Sequence, residues 1–216
     1  MIQGTEFNQT VKYSKKYGGV RKVFEGKPYM LVGGFSFNLE DLPLPGNVLP
    51  AGAPVSVDED KRTITPIYTI AVKSVAGAVV TVAKSEKSVA GAVVTVAKSE
   101  WGVPVKVGMV APTGETVTAV EDADDTYKVT FSAAPAAAKE GAILTLYPKS
   151  VGKAGVKANA LLYCDICLNP YATACLGDAV WFCEYPVLAR RTFPITDDIK
   201  TQLREAGCAF YFSNRK

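Results

Sequence analysis

Residues 73–86 and 87–100 are one stretch of fourteen residues written twice. Lys73-Ser-Val-Ala-Gly-Ala-Val-Val-Thr-Val-Ala-Lys-Ser-Glu86 is followed at once by an identical copy, Lys87 to Glu100. In each copy a glycine (Gly77, Gly91) precedes a β-branched run (Val79 to Ala83, Val93 to Ala97). Glycine supplies the backbone freedom of a tight turn, and side chains stiff at χ1 suit a pleated surface. Each copy therefore reads as a hairpin strand plus its turn. The period is too short for a helical solenoid, and two copies do not make an array. Two copies packed in one core would meet different neighbours and diverge, so their identity points to a peripheral hairpin.

Strand signals continue on both sides. Thr63, Ile64, Ile67, Tyr68, Ile70 and Val72 are strand formers, and Thr116–Val120 and Thr126–Phe131 flank an acidic turn at Glu121–Asp125. Pro135 keeps Ala133–Ala138 from forming a continuous helix, and Ala142–Tyr147 reads as another strand. Beyond a Gly/Lys linker, Ser150 to Lys157, further strands are expected at Ala160–Leu168 and Ala179–Tyr185. One helix is convincing. Thr196 can cap it, Asp197 and Asp198 favour its N-terminal dipole, Ile199 and Leu203 share a face, and Gly207 stops it. Ala209–Phe212 then closes the chain as a strand. The expected fold is mainly β: a β-sandwich or barrel-like domain with a hairpin-rich lobe at about 73–148 and one short C-terminal helix.

The first 30 residues carry a net charge of +4 with Phe7, Tyr13, Tyr17, Phe24 and Tyr29 interleaved, whereas residues 31–60 carry −5. Leu42–Pro54 holds four prolines and two glycines in 13 residues and must be extended. These features read as an extended arm over 1–45 ahead of a β domain over 46–216. Phe35, Phe37 and Leu39 alternate with Ser36 and Asn38, as in a strand that pairs with another sheet's edge. The candidate partner-binding residues are Lys15, Lys16, Tyr17, Arg21, Lys22, Phe24, Phe35 and Phe37. Docking on an acidic protein surface fits better than nucleic acid, which the acidic stretch would repel; an ordinary solvated terminus is the plain alternative.

With 216 residues, of which 48% are hydrophobic, the chain can bury a real core. It contains no histidine, which removes Ser-His-Asp and Cys-His nucleophiles, imidazole acid–base catalysis and His-ligated metals. No phosphate-binding, dinucleotide-binding or nucleophile-elbow motif is present. Cys164-Asp-Ile-Cys167 is a CxxC, but it sits in a strand-like run and lacks a second paired knuckle. Small buried thiols are its plain reading, with zinc or redox chemistry as alternatives; Cys175, Cys183 and Cys208 read the same way. Glu121–Asp125 and Asp58–Asp60 lack the ligand spacing of a calcium loop and read as solvated turns. No catalytic residue, cofactor or metal is expected. The longest apolar run, Val75–Ala83, is far short of a bilayer span, and no signal peptide is visible at the start. Five cysteines in such a chain suggest reduced thiols.

The order of segments resembles a known group. Gly46–Asp58, the hairpin region ending in Val105-Lys-Val-Gly-Met-Val110, Phe193–Leu203 and Ala209–Phe212 together resemble the head decoration, auxiliary capsid and head-fibre proteins of tailed bacteriophages, those of crAss-like phages above all. The resemblance implies a non-enzymatic virion protein, assembled in the host cytoplasm and bound to the outer surface of the capsid. It would reinforce joints between major capsid proteins or anchor a fibre, with other head proteins or further copies of itself as additional partners. No membrane and no direct nucleic-acid contact are implied. A surface module that binds host glycans or receptors is the alternative. An enzyme working through two carboxylates is a third class.

Overall fold

The computed structural model of the protein describes residues 22–31, 34–77, 92–97, 101–122 and 125–214. Within these, the chain forms β1 (Pro28–Met30), β2 (Phe35–Phe37), β3 (Pro54–Asp58), β4 (Thr63–Pro66), β5 (Tyr68–Gly77), β6 (Ala92–Ala97) and β7 (Val117–Asp122). There follow β8 (Thr126–Phe131), β9 (Ile143–Leu146), β10 (Ala160–Leu162), β11 (Leu176–Gly177), β12 (Ala179–Cys183), β13 (Val187–Leu188), helix α1 (Asp197–Glu205) and β14 (Phe212–Ser213).

Two sheets carry the fold. One has the order β1-β12-β10-β3-β4-β2-β11, the other β7-β8-β6-β5-β9, and β13 pairs β14 in a two-stranded ribbon. The chain passes from the first sheet to the second at Pro66-Ile67, where β4 ends and β5 begins. Alternation then does the packing. Tyr68, Ile70 and Val72 on β5, Val94 and Val96 on β6, Tyr127, Val129 and Phe131 on β8, and Leu144 and Leu146 on β9 share one buried cluster with Phe35, Phe37, Val55, Val57 and Ile64 of the first sheet. The molecule is thus mainly β and sandwich-like.

A second cluster lies on the outer face of the seven-stranded sheet. Ala160 and Leu162 of β10 point into the core between the sheets, whereas Leu161 points the other way, toward Ile199 and Leu203 of α1. That is why β10 is buried at all three positions. The helix starts as its sequence predicts: Thr196 Oγ1 accepts from the Ile199 amide at 3.2 Å. It ends at Gly207 (φ +81°), after which the Cys208 amide donates back to the Leu203 carbonyl at 2.9 Å.

Several sequence expectations change. The repeat is not peripheral, because the strand of its second copy is β6, in the middle of the five-stranded sheet, with Val94 fully buried. That sheet, from Tyr68 to Leu146, shares its core with the first sheet and so forms half of the sandwich rather than a separate lobe. The equivalent strand of the first copy, Val79–Ala83, lies outside the described residues. The expected arm is also shorter, since β1 and β2 precede Gly46 and belong to the seven-stranded sheet. The proline-rich segment forms no helix, but it is not extended throughout: it turns at Pro45-Gly46 and again at Ala51-Gly52, and its second half packs inside, with Leu49 and Ala53 fully buried. A Cβ at Gly52 (φ +77°) would lie 2.8 Å from Val23 Cγ1, so only glycine lets the two segments approach. Finally, the strand expected at Ala160–Leu168 stops at Leu162. Asp165 turns instead to accept the Ala51 amide at 2.7 Å, and Ile166 exchanges backbone hydrogen bonds with Leu49.

Candidate functional site

The eight residues nominated from sequence part into three groups. Lys15, Lys16, Tyr17 and Arg21 lie outside the described residues. Phe24, Phe35 and Phe37 are buried, and this corrects their assignment to a partner surface. Phe24 stacks on Tyr163 with centroids 6.3 Å apart, and β2 sits between β4 and β11, so its alternating phenylalanines fill this chain's own core. The strand pattern holds, but the sheet that β2 joins is this chain's own. Lys22 alone is described and exposed, its carbonyl held by Arg191 Nη1 at 2.7 Å.

From Lys22 the chain runs along one margin of the seven-stranded sheet. Phe24 bridges Val187, Tyr29 faces Phe182, Met30 faces Val180, and the Leu31 amide donates to the Ala179 carbonyl. Residues 23–31 therefore form an irregular outer strand laid against 179–188, with a register break between Tyr29 and Met30. This margin is aromatic. Tyr29 and Phe182 contact at 5.3 Å between centroids, and Trp181 tilts against Phe182 at 5.9 Å. Trp181, Tyr185 and Met30 are exposed, Tyr185 at 60%. The Tyr185 ring lies directly over Gly26, where a Cβ would come within 2.3 Å of it.

Charge surrounds these rings. Lys27 Nζ sits 5.5 Å from the Tyr29 centroid, a cation–π contact, and Tyr29 donates to Glu184 Oε1 at 2.6 Å. That hydrogen bond, then the Glu184 charge, raises the Tyr29 pKa. Lys22, Lys27 and Arg190 stand exposed, against Glu25 and Glu184. Rigid rings, partly desolvated and rimmed by cations, are the composition of an interface anchor. Trp181 and Tyr185 carry no special spacing; the Trp-Phe pair within an expected strand was the one available signal.

The other sequence candidates have structural roles or lie in solvent. Cys164 is half-buried and the other four cysteines are buried, all as free thiols. Burial, then the charges of Asp178 and Asp165, pushes the Cys164 thiol up to about 11, so it stays protonated at neutral pH. Among the described residues no group of three or more Cys, Asp or Glu is placed to hold a metal ion. Asp58 closes a turn, accepting from the Lys61 amide and ammonium, while Glu121, Asp122 and Asp125 are exposed at the β7–β8 hairpin. No described helix is long and apolar enough to cross a membrane. Comparison with known proteins returns nothing: no family, no curated protein and no solved structure matches the chain.

Proposed function

We propose that this chain is a non-enzymatic structural protein of a phage virion, bound to the outside of the capsid, where it reinforces contacts between major capsid proteins or anchors a head fibre. The observation that carries the reading is the aromatic margin along β1 and β12. Exposed Trp181 and Tyr185 lie where the basic, aromatic N-terminal sequence joins the sheet. Anchoring rings supply affinity, and neighbouring cations steer encounter with an acidic surface. The order of segments described from sequence supports the choice of partner, and five thiols without a disulfide suit assembly in a reducing cytoplasm.

Co-sedimentation with expanded, undecorated heads tests this. The full chain should saturate the heads, and a chain lacking residues 1–21 should associate more slowly, most visibly at low salt. Binding to host cells or glycans with no affinity for heads would replace the reading with that of a receptor-binding module, for which the same rings would serve as stacking platforms.

A further inference from the structure

Beside this margin the structure holds a groove. Its volume is about 240 Å³, and it lies between the last turn of α1 and the chain leading into β14. Leu203 and Cys208, both buried, lie beneath it. The Cys208 sulfur contacts the Asn159 carbonyl at 2.9 Å, which satisfies its S–H inward. Phe210 and Phe212 line it, half-buried, with centroids 6.1 Å apart. Lys200 and Arg204, four residues apart and so on one face of α1, complete the lining.

The two cations differ. The Lys200 ammonium is held by Asp197 at 2.7 Å. Exposed Arg204 makes no ion pair among the described residues. A guanidinium over an apolar slot asks for a carboxylate next to an apolar group, because only the planar fork of arginine takes a carboxylate in bidentate fashion. The size narrows the choice, since small-molecule and cofactor sites run to about 300–1,000 Å³. This groove suits one large apolar side chain instead. In an extended peptide, side chains two residues apart share a face. We infer that the groove holds an extended segment of a partner protein in which Asp or Glu stands two residues from Phe or Leu, the carboxylate on Arg204 and the apolar side chain between Phe210 and Phe212.

The inference stands on the groove and not on the identity of the virion partner. The probe is the peptide Gly-Ser-Asp-Gly-Phe-Gly-Ser-amide carrying an N-terminal fluorophore, titrated by polarisation against the full chain. Saturable binding is expected. It should weaken at least tenfold with Arg204→Glu, and as much when the probe's Asp becomes Lys or its Phe becomes Ser. Arg204 is exposed, so the variant should melt with the parent chain, which separates lost binding from lost folding. Absence of saturable binding, or equal binding by the Arg204→Glu chain, overturns the inference. Binding that emerges only after removal of residues 1–21 assigns the groove to the chain's own N-terminus and overturns it as well. So does a concentration-dependent dimer that the probe dissociates. None of these results bears on head binding through Trp181 and Tyr185.

Discussion

Asp41 is a buried carboxylate that is only half satisfied. It is 4% exposed, and its Oδ2 accepts from Ser150 at 2.6 Å while Oδ1 has no partner. Burial raises its pKa, and the Ser150 hydroxyl and the Lys106 charge work in the opposite direction. The folded protein therefore holds this proton more tightly than the unfolded chain does. The resulting stabilisation is complete below the ordinary carboxylate value near pH 4 and is lost as pH rises through the higher folded value. Asp41→Asn should keep the Ser150 contact, match or exceed the parent stability at pH 7 by about 1 kcal/mol, and flatten the decline between pH 4 and 7. Thermal melts across that range check this; an asparagine variant less stable at pH 7 would mean that the charge is compensated. Cys164 gives a second test at this scale. With its pKa near 11, the folded protein should react slowly with iodoacetamide at pH 8, and denaturation should release all five thiols. Rapid alkylation of Cys164 in the folded state would contradict the protonated thiol.

Among the elements, the tandem repeat makes the sharpest prediction. Because the copies are identical, deleting either one yields the same polypeptide, which retains a complete β6 sequence. In the parent, Val72, Val75 and Gly77 of β5 face Val96, Val94 and Ala92, and fourteen residues connect Gly77 to Ala92. After deletion the pairs Val72–Val96 and Val75–Val94 can persist, joined by a four-residue loop of Ala76, Gly77, Ala92 and Val93. The few lost cross-strand pairs cost about 1–2 kcal/mol. The shorter connection returns about 1 kcal/mol in closure entropy. The deletion variant should unfold cooperatively within about 5 °C of the parent. Val94→Asp, which places a charge at a fully buried position, should abolish that transition. Similar behaviour of the two variants in calorimetry would contradict this account of β6. The same elements show what sequence conveys. The helix was legible because its cap, its stop and its buried stripe are local signals. Strands β5, β8, β9 and β12 were legible from their runs of β-branched, aromatic and other apolar residues. Strand β2 was legible from the alternation of Phe35 and Phe37, but β1 was not, and the pairing of both was hidden because their partners lie far along the chain. The position of β6 in its sheet was equally hidden, because pairing order is a property of the whole molecule.

At the scale of the whole molecule, the two-sheet sandwich was legible and the partner surface was not. Alternating aromatics announce a buried strand face without saying whose sheet buries it, and Phe35 and Phe37 proved to be buried by their own. Trp181 and Tyr185 became visible as a surface only once residues 23–31 were seen laid against 179–188. The seven-stranded sheet supplies an internal control. Tyr171, 89% exposed, precedes β11, and β11 and β1 are the two ends of that sheet. Six strand spacings of about 4.8 Å put these ends roughly 30 Å apart. The direct test is therefore the affinity for undecorated heads of a Trp181→Ala/Tyr185→Ala chain beside a Tyr171→Ala chain, both shown by melting to be folded. Anchoring rings cost about 2 kcal/mol each when truncated, so the double variant should bind at least a hundredfold more weakly, with Tyr171→Ala unchanged. Parent-like affinity in the Trp181/Tyr185 variant would contradict the assignment of the β1–β12 margin as the attachment surface.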